Sequence, residues 1–337
     1  MKSIFVQITS YRDPELVATI KNLISRAAHP ERLKICVAHQ SHSNDTWDSL
    51  AEFAQDGRFT VVSIPHNESQ GHGAAVYHAQ QHYDSEDYAL GIEAHTRLAQ
   101  DWDIKCISMY EELQKTGVDK PLITTYLPPY NPKHYPKDSE QIPENFINTP
   151  IYGMRLSIWK DGMAMFHPQQ IKDFAVPFKT RFYSNQFSFT SGKFIKEVPN
   201  DPALYYDGEE IAMSVRAFTN GYELFTPNQA VGWFQYNSLS RVNHWDDHEN
   251  WLSIDNYSKS RVRQLLGIDG AVCTPCNKNS FHVFGLGEAK TLKDYEKFAG
   301  ISFIDKSSTS RCNQNLPPPG GQEDELKDWG NKVVTNF

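Results

Sequence analysis

The tripeptide Glu93-Ala94-His95 places a carboxylate and an imidazole two residues apart at the end of an apolar segment. Side chains two positions apart in a strand point to the same face, so both groups could contact one cation. A carboxylate oxygen and an imidazole nitrogen suit Mn²⁺, and also Mg²⁺ or Zn²⁺ with water. Such a cation could neutralise a diphosphate as a nucleotide departs. A salt bridge at the strand end is the alternative explanation.

A second acidic motif, Asp207-Gly208-Glu209-Glu210, lies where a loop is predicted to enter a helix. Carboxylates in the first turn of a helix are stabilised by its dipole, and that role alone could explain them. The functional alternative places one of them in a sugar pocket. There it would bind hydroxyl groups or stabilise positive charge at an anomeric carbon.

Two further motifs are less specific. Gly71-His72-Gly73 before a predicted helix could let backbone N–H groups approach a phosphate, but it lacks the dinucleotide fingerprint and the P-loop lysine. Cys273-x-x-Cys276, with Cys312 and His282 near in sequence, could form a zinc site. Without a second cysteine pair, free thiols in a loop are the alternative.

Strand and helix patterns alternate over the first 125 residues and must position these groups. The predicted strands span residues 4–8, 33–38, 59–64, 88–92 and 122–125. The first predicted helix is capped by Ser10 or Asp13 and ends at about residue 28, and the later helices span 47–54, 71–82 and 103–114. This order predicts a largely parallel sheet covered on both faces. Ligands bind at the carboxyl ends of such strands. Polar residues stand there: Thr9, Ser10, Tyr11, Arg12, His39, Gln40, His66, Asn67, Glu93 and His95.

The rest of the chain predicts a less regular half. Residues 127–150 are proline-rich and are expected to form a long excursion over the site. Short aromatic strands follow to about 194, then a helix over 209–220, a strand over 222–225 and helical structure from about 261. The predicted domain spans 1–305. It comprises two halves (1–126 and 127–260) and a C-terminal helical part (261–305), before a polar Pro/Gly-rich tail (306–337).

The composition limits the class of protein. The 337 residues are 39% hydrophobic and 12% aromatic, which excludes general disorder. The formal charge of −8 argues against a partner bound through phosphates over the whole surface. The first residues are not typical of a signal peptide, and no run approaches the roughly 18 apolar residues of a membrane span. The five cysteines are an odd number, which fits reduced thiols better than a full set of disulfides. Together these features predict a cytoplasmic protein.

Taken in their order along the chain, the motifs resemble those of the N-acetylglucosaminyltransferase-like glycosyltransferases. This is a retaining family that attaches α-linked GlcNAc to hydroxyproline, serine or threonine of polypeptides. The resemblance runs through ITSYRDPE (8–15), AAHPERLKICVAHQ (27–40), Glu93-Ala94-His95 with Asp101-Trp102-Asp103, PLITTYLPPY (121–130), FSFTSGKFIKEVPNDPALYYDGEEIAMSVRAFTNGYELFTP (187–227) and FGLGEAKTLKDYEKFAGISF (284–303). It implies an α/β fold of the GT-A, Rossmann-like type, with a mostly parallel central sheet flanked by helices. It also implies a UDP-sugar donor and a divalent metal, Mn²⁺ or Mg²⁺. On this basis residues 1–126 are the expected nucleotide-binding half, and residues 127–260 are the expected acceptor- and sugar-binding half.

Strand-end position and resemblance together assign the candidate site. The expected donor-binding residues are Thr9, Ser10, Tyr11, Arg12, Gln40 and Gly71; the expected metal ligands are Glu93, His95 and His244; and the expected catalytic residues are Asp207, Glu209 and Glu210. The resemblance implies that Arg12 contacts the donor and, with the metal, stabilises the departing diphosphate.

The sequence also departs from the family pattern. Glu93 and Ala94 replace the aspartate and serine of the family's Asp-Ser-His motif, and the helix-opening stretch 71–76 lacks the family's arginine. Segment 231–236 lacks the histidine that the family uses as a further ligand. His244 or His248 could replace it. Both lie in the polar segment 241–248, which is either a loop that folds over the site or a solvated surface loop. Altered metal dependence, or another donor sugar, is therefore a possibility.

The expected function is retaining transfer of a sugar, most simply GlcNAc, from a UDP-sugar to a hydroxyl of a polypeptide or glycan. Two alternatives are transfer to a hydroxymethylated DNA base, which the charge of −8 disfavours, and a non-catalytic descendant that only binds nucleotide sugars. The sequence does not predict an oligomeric state.

Overall fold

The computed structural model describes residues 2–131, 150–172, 174–238, 241–271, 281–319 and 329–334. Its strands are β1 (Ile4–Tyr11), β2 (Leu33–Ser41), β3 (Phe59–Pro65), β4 (Tyr88–Glu93), β5 (Thr96–Leu98), β6 (Pro121–Thr124), β7 (Ile151–Lys160), β8 (Met163–Ile171), β9 (Phe178–Lys179), β10 (Phe187–Ser191), β11 (Glu223–Thr226), β12 (Gly232–Phe234), β13 (Ile301–Ser302) and β14 (Ser307–Ser308). Its α-helices are α1 (Leu16–Arg26), α2 (His72–Gln80), α3 (Trp102–Lys115), α4 (Phe194–Glu197), α5 (Glu209–Thr219), α6 (His244–Asp247), α7 (Trp251–Leu266), α8 (Leu292–Ala299), α9 (Ser310–Asn313) and α10 (Trp329–Lys332).

Eight of these strands form the central sheet, in the order β3-β2-β1-β4-β10-β6-β11-β9. The pairs β1–β2, β2–β3, β1–β4 and β6–β11 are parallel, while β10 and the edge strand β9 run antiparallel to their neighbours. The predicted mainly parallel sheet is therefore confirmed. The sequence did not predict that β10 would separate β4 from β6, because that strand comes from much later in the chain.

Helices cover both faces of the sheet, as strand alternation requires. Ile4, Val6 and Ile8 of β1 belong to a core cluster that includes the apolar sides of α1 and α3. Phe5 points to the other face, into a cluster with Ala75 and Ala79 of α2. The two-residue periodicity of β1 thus fixes which side chains support the sheet from each side.

A second core lies beside the sheet, under the β7–β8 hairpin and helices α5, α7 and α8. Helix α7 begins at Trp251, ten residues before the helical structure expected from about 261. The apolar pattern missed its first turns because Asp255 and Lys259 are buried as an ion pair with a 2.8 Å contact. The short helix predicted over 47–54 is reduced to a single 3₁₀ turn, Ala51–Phe53.

The tail packs back onto the domain in its described parts. Cys312 is buried in the second core, and the Trp329 ring lies 6.0 Å from that of Phe174. Most of the proline-rich excursion, together with Cys273 and Cys276, lies outside the described residues, so the zinc site stays a prediction. No helix in the described parts of the chain is long and apolar enough to cross a membrane.

Gly73, in the first turn of α2, is required by close packing against the loop before α5. A Cβ built there would lie 2.5 Å from the Leu204 carbonyl oxygen and 2.7 Å from that of Asp201. We therefore expect Gly73→Ala to lower the free energy of unfolding by about 1–3 kcal/mol, because backbone atoms must move. Gly57→Ala is the matched control, since no atom lies within 4 Å of its Cβ position. Equal stability of the two variants in urea unfolding would contradict this view of the packing.

Candidate active site

A cleft of about 470 Å³ opens at the carboxyl ends of β1, β2 and β4. Strand β8, the start of α5 and the segment leading into α6 form its other side. Among the residues that line it are all the predicted site residues except Arg12: Thr9, Ser10, Tyr11, Gln40, Gly71, Glu93, His95, Asp207, Glu209, Glu210 and His244. Residues far apart in sequence are thus brought to one place.

His95 is held between two carboxylates. Its Nδ1 lies 2.8 Å from Asp13 Oδ2, and its Nε2 lies 3.3 Å from Glu93 Oε2. Burial alone would raise the pKa of the Asp13 carboxyl, but His95 and then Arg241, 3.6 Å away, hold that pKa below its usual range. Asp13 is therefore an acceptor, so Nδ1 carries the proton that His95 donates.

This arrangement fits a divalent cation. A carboxylate that accepts from one ring nitrogen orients a histidine so that its other nitrogen can ligate. The 3.3 Å between Glu93 Oε2 and His95 Nε2 is close to the spacing of about 3 Å between neighbouring ligands of an octahedral ion. Within the residues that the structure describes, no group of three or more His, Cys, Asp or Glu side chains could hold a metal ion. Two protein ligands are nevertheless typical of ions that also bind substrate phosphates.

His244 instead belongs to a hydrogen-bond chain. The Tyr205 hydroxyl lies 2.8 Å from His244 Nδ1, and His244 Nε2 lies 3.0 Å from Ser69 Oγ. Ser69 donates to Gln40 Oε1, and Gln40 Nε2 donates to the Ser10 carbonyl oxygen. Burial and the stacked ring of His248 lower the pKa of His244 to about 4, so its ring is neutral at pH 7. The geometry gives no support to His244 as a ligand.

Arg12 is the predicted site residue that the structure turns away from the cleft. Its Nε and Nη2 donate to the two oxygens of Asp45, at 2.7 and 3.1 Å, and its Nη1 donates to Asp247 at 2.8 Å. The same Asp247 oxygen accepts from the Tyr11 hydroxyl at 2.6 Å. Segment 241–248 is therefore docked onto the end of β1. Because two carboxylates already bind the guanidinium, its predicted diphosphate contact is not supported by this geometry.

Glu209 begins α5 and is 1% exposed. Its Oε2 lies 2.8 Å from His72 Nδ1, and its Oε1 accepts a hydrogen bond from Asn200 Nδ2 at 2.9 Å. Burial alone would lower the pKa of His72, but Glu209, with smaller contributions from Glu93 and Glu210, raises it to about 9. His72 is therefore an imidazolium at neutral pH.

The neighbouring acids differ in their surroundings. Glu210, partly open to the cleft, accepts from the Tyr126 hydroxyl at 2.7 Å and from the Asn185 N–H at 3.1 Å. Burial raises the pKa of Glu210 to about 7 against these hydrogen bonds. Asp207 lines the cleft as predicted, with its Oδ2 3.2 Å from Lys259 Nζ.

Sequence reasoning missed the partners that hold the site residues in place: Asp13, Asp45, Ser69, His72, Tyr126, Tyr205 and Asp247. Two of them carried a signal. Asp13 closely follows a strand that ends in polar residues, and His72 stands between two glycines at a helix start. The other partners are ordinary polar residues whose importance depends on contacts across the fold.

The fold resembles that of known sugar transferases. A crystal structure of GalNAc-T7 with UDP, GalNAc and Mn²⁺ superposes with a TM-score of 0.58 at 13% identity, covering 88% of this chain and 56% of that one. TarS of S. aureus with UDP-GlcNAc gives 0.46 at 9%, covering 78% and 70% of the two chains. The mannosyltransferase PcManGT of Pyrobaculum calidifontis gives 0.44 at 12%, covering 83% and 68%. This chain thus spans just over half the length of GalNAc-T7.

The predicted GT-A fold of the glycosyltransferases is therefore confirmed. In sequence, residues 3–57 and 48–305 match the family described as Glycosyltransferase (GlcNAc), and the chain belongs to that family. No curated protein sequence matches it significantly.

The His72–Glu209 pair makes stability depend on pH. Because folding raises the pKa of His72, its contribution to stability is complete below its unfolded pKa near 6.5 and is lost as pH rises through about 9. We expect the Tm difference between wild type and His72→Gln to be largest near pH 6 and to shrink by pH 10. His78→Gln, an exposed position on the same helix, is the matched control. A difference that is constant with pH would contradict the pairing.

Proposed function

We propose that this chain transfers a sugar, most simply GlcNAc from UDP-GlcNAc, to a hydroxyl of a polypeptide or glycan, with retention of anomeric configuration. One observation carries this proposal. A single cleft holds the strand-end residues, the Glu93–His95 pair and the carboxylates that open α5. The family membership and the shared fold agree with it.

The donor would lie with its nucleotide at the ends of β1 and β2 and its diphosphate near Glu93. The acids that line the cleft, Asp13, Glu93, Asp207, Glu209 and Glu210, outnumber its positively charged groups. A dianionic diphosphate would be repelled there unless a cation accompanied it. Mn²⁺ or Mg²⁺ bound by Glu93 and His95 would supply that positive charge.

The chain's own residues would act on the sugar. Glu209 is fixed by His72 and Asn200, and Glu210 by Tyr126 and the Asn185 amide. Carboxylates held in this way can bind sugar hydroxyls and stabilise the positive charge that develops at the anomeric carbon. In our proposal the acceptor hydroxyl attacks that carbon on the face from which the diphosphate leaves, and this preserves the anomeric configuration.

The acceptor would enter past an aromatic rim. Tyr206 and Trp245 line the cleft, are 62% and 40% exposed, and contact each other edge to face at 5.8 Å. Exposed rings beside carboxylates suit a glycan or a neutral to basic peptide, because the rings stack and the acids bind hydroxyl or amino groups. The same acids repel phosphates, which disfavours a DNA base as the acceptor.

The direct test is a screen of nucleotide sugars for release of free nucleotide, with and without Mn²⁺. We expect UDP release from at least one UDP-sugar, faster when a suitable acceptor is present. The proposal fails if the chain neither binds nor turns over any nucleotide sugar. Binding without turnover would instead favour a non-catalytic sugar-nucleotide binder.

Glu93→Gln should impair the use of metal. Loss of a charged ligand should lower the apparent Mn²⁺ affinity by about 10- to 100-fold or more, and turnover should fall with it. The measurement is UDP release against Mn²⁺ concentration. Glu112→Gln, at an exposed position on α3, is the control and should match wild type. An unchanged Mn²⁺ dependence in Glu93→Gln would remove Glu93 from the metal site.

The rim generates a separate prediction. Tyr206→Ala and Trp245→Ala should raise the KM for acceptor several-fold and leave donor hydrolysis without acceptor close to the wild-type rate, because these rings lie at the mouth of the cleft. Tyr257→Ala, an equally exposed ring that does not line the cleft, is the control. If the rim variants raise the KM for the donor instead, the rim belongs to the donor site.

A further inference from the structure

His72 lines the cleft, and only one of its two ring nitrogens has a hydrogen-bond partner in the described ranges. It is the first residue of α2, directly after Gly71, whose φ of +100° turns the chain into the helix. Its Nδ1 is bound by Glu209, whereas Nε2 makes no hydrogen bond to any residue in the described ranges, and the side chain lines the cleft. One ring nitrogen is therefore anchored, and the other is available to a ligand.

The surroundings indicate what kind of ligand that nitrogen would meet. A helix N-terminus favours anions. Ser10, which Gln40 links to Ser69 in the loop before α2, also lines the cleft. Its hydroxyl is buried without a hydrogen-bond partner in the part of the chain that the structure describes. The Gly71 N–H already donates to Ser69, so the loop before α2 is fixed in place. These features suit the oxygens of a phosphate group.

We propose that His72 is a catalytic residue whose Nε2–H donates to the distal phosphate of the nucleotide donor and stabilises it as it leaves. This inference rests on the proposed function and adds a specific group to it. Arg12, which the sequence favoured for this contact, is bound by Asp45 and Asp247. His72 supplies a positive charge at the start of α2, among the residues that line the cleft.

The chemical step balances without a proton leaving His72. The acceptor oxygen forms a bond to the anomeric carbon as the bond from that carbon to the diphosphate oxygen breaks. The electron pair goes to the diphosphate, and the acceptor proton goes to the same departing oxygen. His72 stays protonated throughout and strengthens its hydrogen bond as negative charge grows on the phosphate.

Glu209 keeps His72 in the charged state. The acids that act on this imidazole are Glu209 and Glu210 on α5 and Glu93 at the end of β4, and they outweigh the effect of burial on its pKa. Glu209 is therefore a positioning residue as well as a candidate for contact with the sugar. Its loss should lower the pH at which His72 loses its charge.

The test is UDP and UMP affinity by calorimetry in Mg²⁺ buffer between pH 7 and 10. Wild-type affinity for UDP should fall as pH rises through about 9. Because the uracil ring also loses a proton in the upper part of this range, the fall is measured relative to His72→Arg at each pH. His72→Gln should bind UDP about 10- to 100-fold more weakly at pH 7.5, as expected for a lost charge-assisted hydrogen bond, with UMP affinity nearly unchanged. His72→Arg should retain UDP binding and show only the decline that ionisation of the uracil ring causes.

Two further variants sharpen the test. Glu209→Gln should move the decline in UDP affinity to lower pH, and His78→Gln should behave as wild type. If His72→Gln, shown to be folded by its Tm, binds UDP as tightly as wild type, the role of His72 is overturned while the proposed function stands. If the wild type binds no UDP and no nucleotide sugar, both proposals fail.

Discussion

The arrangement of the cleft depends on the position of His95, whose Nδ1 donates a hydrogen bond to Asp13 and whose Nε2 lies beside Glu93. Asp13 follows β1 and His95 follows β4, so this contact joins the ends of two neighbouring parallel strands. The Phe234 ring packs on His95 with centroids 4.5 Å apart, and this adds β12 to the same assembly. A histidine whose proton is fixed on one nitrogen presents the other to the cleft beside a carboxylate. In our proposal, the position of the diphosphate, and hence of the sugar, depends on this arrangement.

The second constraint is the concentration of negative charge. An acidic cleft that receives an anionic donor must acquire positive charge from bound ions or protons. Two features of the cleft fit this requirement. Glu93 and His95 fit a divalent cation, Glu209 keeps His72 protonated, and burial raises the pKa of Glu210 to about 7 so that its own charge is reduced. Arg12, by contrast, has its charge neutralised within the fold.

Much of the fold and of the candidate site could be predicted from the sequence. Apolar runs predicted the strands within residues 1–126. The rule that ligands bind at the carboxyl ends of parallel strands predicted residues on one side of the cleft, such as Thr9, Gln40 and Glu93. Arg12 was predicted to contact the donor because the family resemblance implied it and the residue follows a strand end. Its partners Asp45 and Asp247 are 33 and 235 residues away, and no local pattern reveals them. The insertion of β10 and the pairing of His72 with Glu209, 137 residues apart, likewise depend on the fold.

The central claim is that the cation site at Glu93 and His95 and the nucleotide diphosphate site are coupled. Binding free energies are reciprocal, so each ligand must raise the affinity of the other by the same factor. The most direct measurement is calorimetric titration of UDP into the protein with Mn²⁺ and with EDTA, together with titration of Mn²⁺ with and without UDP. We expect the two ligands to strengthen each other's binding by the same factor of about 10 or more. Equal UDP affinity in Mn²⁺ and in EDTA would contradict the account.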